Sequence, residues 1–294
     1  GQPVGRIERV DASYSLLSLA WGRLQIDRAR LEAPAVVLRR YEDGVLNVAT
    51  LAKPGSEPPP SGPSTFAVAV DRIELQDGVV LWEDRIAASA DGAAEMLNAI
   101  VTAPAGSRRK ALDRFRVAVA GSSAAGPRSV PTLAGLSGLA LEGSFRMDGS
   151  EDYSGTVDRL RTGLTADTLG RTETLEVDGL GGRWRPGRAE LALARLRLSE
   201  SDLLSEVTAD VTFETRVDEL GNRSPTGVDL GYARVGDLQL RRRLLETFLP
   251  EAGFRTDISG ELEAGGNPDR IDVRARLEAG SEDSPKPGTV GVWA

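Results

Sequence analysis

A chain of 294 residues with a formal net charge of -8 and neither Cys nor His excludes several functions at the outset. Nucleic acid is not an expected partner, because phosphate binding needs a basic footprint. Disulfides, thiol chemistry, Cys-ligated zinc and the commonest general base are all unavailable, which leaves only carboxylates, Ser/Thr, Lys, Arg and Tyr for chemistry, and no catalytic residue, metal or cofactor is assigned.

Aromatic residues make up only 5% of the chain, while 33 Gly and 16 Pro supply the punctuation of many short strands and turns. No run approaches the roughly 20 apolar residues of a membrane span. The first residues, Gly1-Gln2-Pro3, carry no Met or signal peptide, so any anchor is expected upstream, in a larger protein.

In chain order, Trp21 to Leu51 reads as two β-branched runs split by Ala33-Pro34, followed by a turn at Glu42-Asp43-Gly44. Its register returns forty-four residues later: Ile26-Asp27-Arg28 matches Val70-Asp71-Arg72, Pro34 falls on Gly78, and Leu38 on Trp82. Such a repeat points to stacking of one unit. An Asp-Arg-apolar pattern begins at Asp27, Asp71, Asp113 and Asp158 and returns at Asp269.

Residues 53–65 are Pro-rich and expected as a loop. Ala93 to Thr102 fits a helix or a strand. Phe115, Val117 and Val119 alternate as in a short strand, and Gly121 to Pro131 reads as a second loop. Leu139, Leu141 and Phe145 alternate too. Leu191 to Leu198 shifts phase partway, as a bulge or short turn does. Val207, Ala209, Val211 and Phe213 interleave with polar residues, as do Ile271, Val273, Ala275 and Leu277. This is the pattern of half-buried antiparallel strands. The clearest helix is Leu238 to Leu249, capped by Asp237 and ended by Pro250. Residues 280–294 are expected to be a disordered tail.

No nucleophile elbow, phosphate loop, zinc-binding helix or calcium loop is present. The acid pairs Glu42-Asp43, Glu83-Asp84 and Glu151-Asp152 read as turns or strand ends rather than glycosidase carboxylates. Asp218 to Gly227 reads as a hairpin loop rather than a cation site, and Arg108-Arg109-Lys110 as a solvated loop. Trp21, Trp82 and Trp184 are expected first as packing residues.

The region Trp21–Asp84 resembles the N-terminal part of the TamB/AsmA family of bacterial envelope proteins. The resemblance rests on Leu24-x-Ile26, Leu31, Pro34, Val36-Val37-Leu38-Arg39-Arg40, Asp43-Gly44-Val45-Leu46-Asn47 and Leu51, then Ile73-x-Leu75 and Gly78-Val79-Val80. Gly236-Asp237-Leu238 through Pro250, with Gly260-x-Leu262, is similar to its middle repeats.

The resemblance implies an elongated, mostly antiparallel β-sheet curled into a taco-like groove, with one or two short helices. Residues 1–52 would be an N-terminal strand unit and 66–279 a repetitive groove segment. It implies a periplasmic location, tethered to the inner membrane by a segment outside this chain. The cargo would be phospholipid acyl chains, and an outer-membrane assembly protein would be a further partner. Alternation assigns Ile26, Val36, Leu38, Val70, Val80 and Trp82 to the groove lining. It adds Val207, Val211, Phe213, Ile271, Val273 and Leu277. The competing readings are a structural or adhesive β-repeat protein packed shut, and a carboxylate glycosidase on a β-propeller or β-helix.

Overall fold

The computed structural model describes residues 4–48, 67–85, 93–122, 133–149, 152–167, 169, 171–217, 223–248, 253–267, 270–281 and 284–293. Among them the fold is all-β, an open curled sheet of 14 strands. The expected Pro-rich loop at 53–65 lies outside the described residues.

The forty-four-residue repeat explains how the sheet begins. Strands β3 (Arg23–Glu32) and β4 (Ala35–Arg40) lie end to end along β5 (Ala67–Asp84), both parallel to it. Their register is that of the repeat: Ile26 faces Val70, Leu31 faces Leu75 and Leu38 faces Trp82. The sequence therefore pairs with its own copy, as in stacked-repeat folds.

Both copies break at the same point. Ala33 has φ 48° before Pro34, and Asp77 has φ 52° before Gly78. A left-handed backbone at a non-glycine residue costs about 1–2 kcal/mol, so something must hold it. Ala33 N–H donates to the Gln76 carbonyl (2.9 Å) and Val79 N–H to that of Pro34 (2.8 Å).

On the outer side of this edge, β2 (Arg9–Ser15) pairs with β3 and β1 (Gly5–Arg6) with β4. Past β5 every pairing is antiparallel. The order runs β6 (Leu133–Asp148), β7 (Asp152–Ala166), β8 (Thr172–Arg185), β9 (Arg188–Leu198), β10 (Ser201–Val217), β11 (Arg223–Leu240), β12 (Ile258–Asn267), β13 (Arg270–Ser281) and β14 (Ser284–Trp293).

Among the described residues four helical segments are present where one or two were expected: α1 (Leu16–Leu19), α2 (Ala93–Thr102), α3 (Ala105–Ser122) and α4 (Arg242–Phe248). The pair α2–α3 is inserted between β5 and β6 and seals one corner of the sheet. Leu97, Ile100 and Val101 of α2 and Leu112, Phe115 and Val119 of α3 pack on Ala35, Val37, Val79, Leu81 and Leu133. The strand expected around Phe115 is therefore a helix. Three alternating residues are too few to fix a period, and the spacing Leu112, Phe115, Val119 is helical, leaving Val117 74% exposed.

Other expectations are corrected as well. Arg108 belongs to no solvated loop: it is buried, donating to the carbonyls of Ala33 (2.9 Å) and Ala103 (3.2 Å). It thereby ties α3 to the kink, and burial pushes its pKa down. The helix expected from Leu238 begins later, because Leu238, Gln239 and Leu240 pair with Gly260, Ser259 and Ile258. Its first turn is held by Asp257, which accepts from Arg242 N–H at 2.7 Å, and not by Asp237. Leu249 and Pro250 lie outside the described residues.

The expected disordered tail forms the end of β13 and then β14, where Val290 faces Leu277 and Val292 faces Ala275. A backbone ladder offers the exposed edge of β13 its hydrogen bonds, and both prolines sit on an outermost strand, where they are tolerated. The expected loop at Gly121 begins inside α3, and its remainder is not among the described residues.

Candidate functional site

Adjacent strands place one apolar side chain beside the next across the sheet. The most complete row is Val10, Leu31, Leu75, Leu141, Leu160, Val177, Leu196 and Leu204, one residue from each of eight neighbouring strands. At about 4.8 Å per strand it runs for about 34 Å. A second row, Ala29, Ile73, Gly143, Val157, Leu180, Leu193 and Val207, lies beside it on the same face. Further along come Val70, Phe145, Gly155, Gly182 and Leu191.

These rows share a face only because the strands carry extra residues between them. Strict alternation separates same-face residues by two, yet the steps Ile26 to Ala29, Val70 to Ile73, Val157 to Leu160 and Leu193 to Leu196 span three. The same step separates Val177 from Leu180, Leu204 from Val207 and Val235 from Leu238.

The spacer pairs are Asp27-Arg28, Asp71-Arg72 and Asp158-Arg159, then Asp178-Gly179, Ala194-Arg195, Ser205-Glu206 and Gly236-Asp237. Where a three-residue step meets a two-residue one the register shifts, at Ser13/Tyr14, Val70/Ile73, Glu142/Gly143 and Val235/Leu238. Extra residues bend a strand and raise its twist, so a line of them creases the sheet. Gly179 (φ 61°) and Glu206 (φ 52°) take left-handed backbone on this line.

The recurring Asp-Arg pattern is thus the crease at Asp27, Asp71 and Asp158. It is not a third repeat at Asp113, which lies in α3, and Asp269 is outside the described residues.

All twelve residues assigned to a lining share this apolar face. Ile26 and Val70 are direct partners, as are Val36 and Val80, and Leu38 and Trp82. Val207, Val211 and Phe213 stand at alternate positions of β10, and Ile271, Val273 and Leu277 at alternate positions of β13. Val207 is buried, Ile271 and Val273 are exposed, and the rest are half-buried.

Sequence reasoning missed the central Leu row, because its phase slips at the crease. The signal that finds it is the apolar-x-x-apolar step. Phe213 stacks on Trp184 across two strands, with ring centroids 4.5 Å apart. Trp184 keeps 48% exposure, Trp82 is half-buried, and Trp21 at 71% exposure packs against little. An open depression of about 560 Å³ follows Val70, Phe145, Gly155, Gly182 and Leu191 with their chain neighbours.

Polar groups margin the face near α2 and α4. Arg40 pairs with Asp84 at 3.4 Å, and Glu173 binds Arg171 and Ser199.

The opposite face is charged. Glu74 binds Arg28 and Arg72, Arg161 meets Glu176 at 3.2 Å, Arg197 meets Asp202 at 2.9 Å, and Arg276 meets Glu261 at 2.9 Å. The hydrogen bond from Arg28 holds the Glu74 carboxyl below the usual range, and that from Arg183 does the same for Asp152. Under α2 this face is sealed around Arg39, whose guanidinium reaches Glu83 (2.8 Å) and Asn98 (2.6 Å). Asn47 accepts from Arg39 N–H and donates to the Val37 carbonyl, so its amide continues the strand ladder.

The acid pairs have structural engagements. Asp43 accepts from Val45 N–H in the turn, Glu83 and Asp84 face Arg39 and Arg40, and Asp152 binds Arg183 and Arg185. Glu151 and residues 218–222 lie outside the described residues. No group of three acids among the described residues is placed to hold a metal ion. No family model, curated protein or solved structure matches this chain.

Proposed function

We propose that this chain is a non-enzymatic segment of a TamB/AsmA-like envelope protein that conducts phospholipid acyl chains along its apolar face. In this reading it stands in the periplasm between the two membranes and supports outer-membrane biogenesis, including protein assembly. The observation that carries the proposal is the central Leu/Val row, continuous over eight strands and covered by no other element among the described residues.

Water on such a face is costly, and an acyl chain laid along it gains about 0.8 kcal/mol per buried CH₂. A lining of Leu, Val, Ala and Gly offers no directional contact, which suits a cargo that slides. The residue-level resemblance at both ends of the chain supports the family assignment.

The test is to purify the chain from bacterial envelopes and extract its lipid for mass spectrometry. Phospholipid should co-purify at one or more molecules per chain, and Leu141→Asp with Leu160→Asp should remove it while the far-ultraviolet spectrum is unchanged. Protein that carries no lipid, with an apolar face sealed by self-association, would favour the structural or adhesive reading instead.

A further inference from the structure

Large exposed apolar side chains are concentrated in one short stretch. Leu16 (67%), Leu17 (85%), Leu19 (42%) and Trp21 (71%) crowd the turn between β2 and β3, and Tyr14 (56%) stands at its base. Four such residues on one projecting turn form a patch, which a monomeric soluble surface rarely tolerates without a use. We infer that this turn is a bilayer-docking tip, which seats Leu16, Leu17, Leu19 and Trp21 in the interfacial layer of an anionic phospholipid membrane.

The backbone is prepared for that environment. Polar groups entering lipid must already be hydrogen-bonded. Here the N–H groups of Ala20, Trp21 and Gly22 donate to the carbonyls of Leu17, Ser18 and Leu19, at 3.2, 3.1 and 3.0 Å. Ser18 Oγ donates to the Ser15 carbonyl at 2.7 Å and accepts from Gln25 N–H at 3.2 Å. Gly22, at φ 69°, lets the chain turn back into β3. The closing half of the tip therefore carries its own amide hydrogen bonds, while the start of α1, which no side chain caps, relies on the hydrated level of the interface.

Charge favours a membrane as the occupant. The chain holds 44 acidic residues, yet none lies between Asp11 and Asp27, and the sole charge in that interval is Arg23. Arg23 is exposed and has no ion-pair partner among the described residues, so its guanidinium is available to an anionic headgroup. Trp21 and Tyr14, at the base of the leucines, are the residue types that settle at the membrane–water boundary. A protein partner fits less well, since four side chains on a turn fall short of the roughly 20–30 residues a side of a standard interface. The inference does not depend on what the sheet carries.

The chain has no native Cys, so one can be introduced as a unique label site. Leu17→Cys carrying an environment-sensitive fluorophore is mixed with vesicles of phosphatidylcholine and phosphatidylglycerol at 3:1. Emission should shift to the blue and rise at least twofold. The same label at Val117→Cys, also exposed but on α3, should not respond. Leu16→Ser with Leu17→Ser should lower co-sedimentation with these vesicles at least tenfold, and Arg23→Gln severalfold, with thermal unfolding unchanged. Label emission that ignores vesicles, or that shifts on raising protein concentration alone, overturns the inference, the latter in favour of a second copy.

Discussion

Leu81 and Leu141 stand on adjacent strands of one sheet, on opposite faces, and their surroundings differ. Leu81 is fully buried beneath the helices, in a cluster with Val37, Leu97, Ile100 and Phe115. Leu141 is half-buried, screened only by the row it belongs to. Both positions read as apolar strand residues, yet among the described residues two helices cover the first and none covers the second. The sealed corner contributes stability, and in the proposed reading the open face is where acyl chains would lie.

This contrast can be broken most forcefully at the sealed corner. Phe115→Ala empties a dry core and should cost about 3–5 kcal/mol in urea unfolding. Arg39→Ala leaves buried Glu83 with only the part-exposed Arg85, so a loss toward the lower end of about 3–5 kcal/mol is expected.

On the open face the same kind of truncation should matter less. Leu160→Ala removes only half-buried area, so about 1 kcal/mol is expected, while binding of a fatty-acyl probe should weaken in parallel.

Glycines sharpen the comparison further. A Cβ at Gly143 would lie 2.1 Å from the Thr156 carbonyl oxygen, whereas at Gly182 the nearest atom is 3.7 Å away. Gly143→Ala should therefore destabilise by about 1–3 kcal/mol through overpacking, and Gly182→Ala should change stability by no more than about 0.5–1 kcal/mol.

The smallest effects belong to the charged face. Glu74, Asp152 and Asp257 have carboxyls held low, the last first by Arg242 N–H and then by Arg241. A depressed carboxyl pKa contributes stability above its unfolded value and loses it as pH falls through the folded one. Thermal melts should thus be flat from pH 7 to about pH 5 and fall below about pH 4, and added salt should blunt the difference.

The strand content, the forty-four-residue repeat and the common sheet face of the twelve assigned positions were legible in the sequence, because each rests on a regular period. Val207 to Phe213 and Ile271 to Leu277 alternate without interruption, and the assigned face follows directly. The central row was illegible for the same reason. Leu193 and Leu196, or Val157 and Leu160, break the period of two, and only the neighbouring strand tells whether an extra residue flips the face or preserves it. The helix around Phe115 and the late start of α4 were misread because three or four apolar residues fit either period. Partners distant in sequence, Leu81 for Phe115 and Ile258 for Leu240, make the choice.

What the sequence determined by itself is that one face of many strands is apolar and the other charged, since side-chain direction alternates along any strand. Tertiary structure alone decided that the repeat pairs with itself in parallel, that the Asp-Arg pairs fall on one crease, and that α2 and α3 cover the charged side. Those outcomes depend on which strands meet and in what register, a matter of backbone hydrogen bonds and packing between segments far apart in the chain.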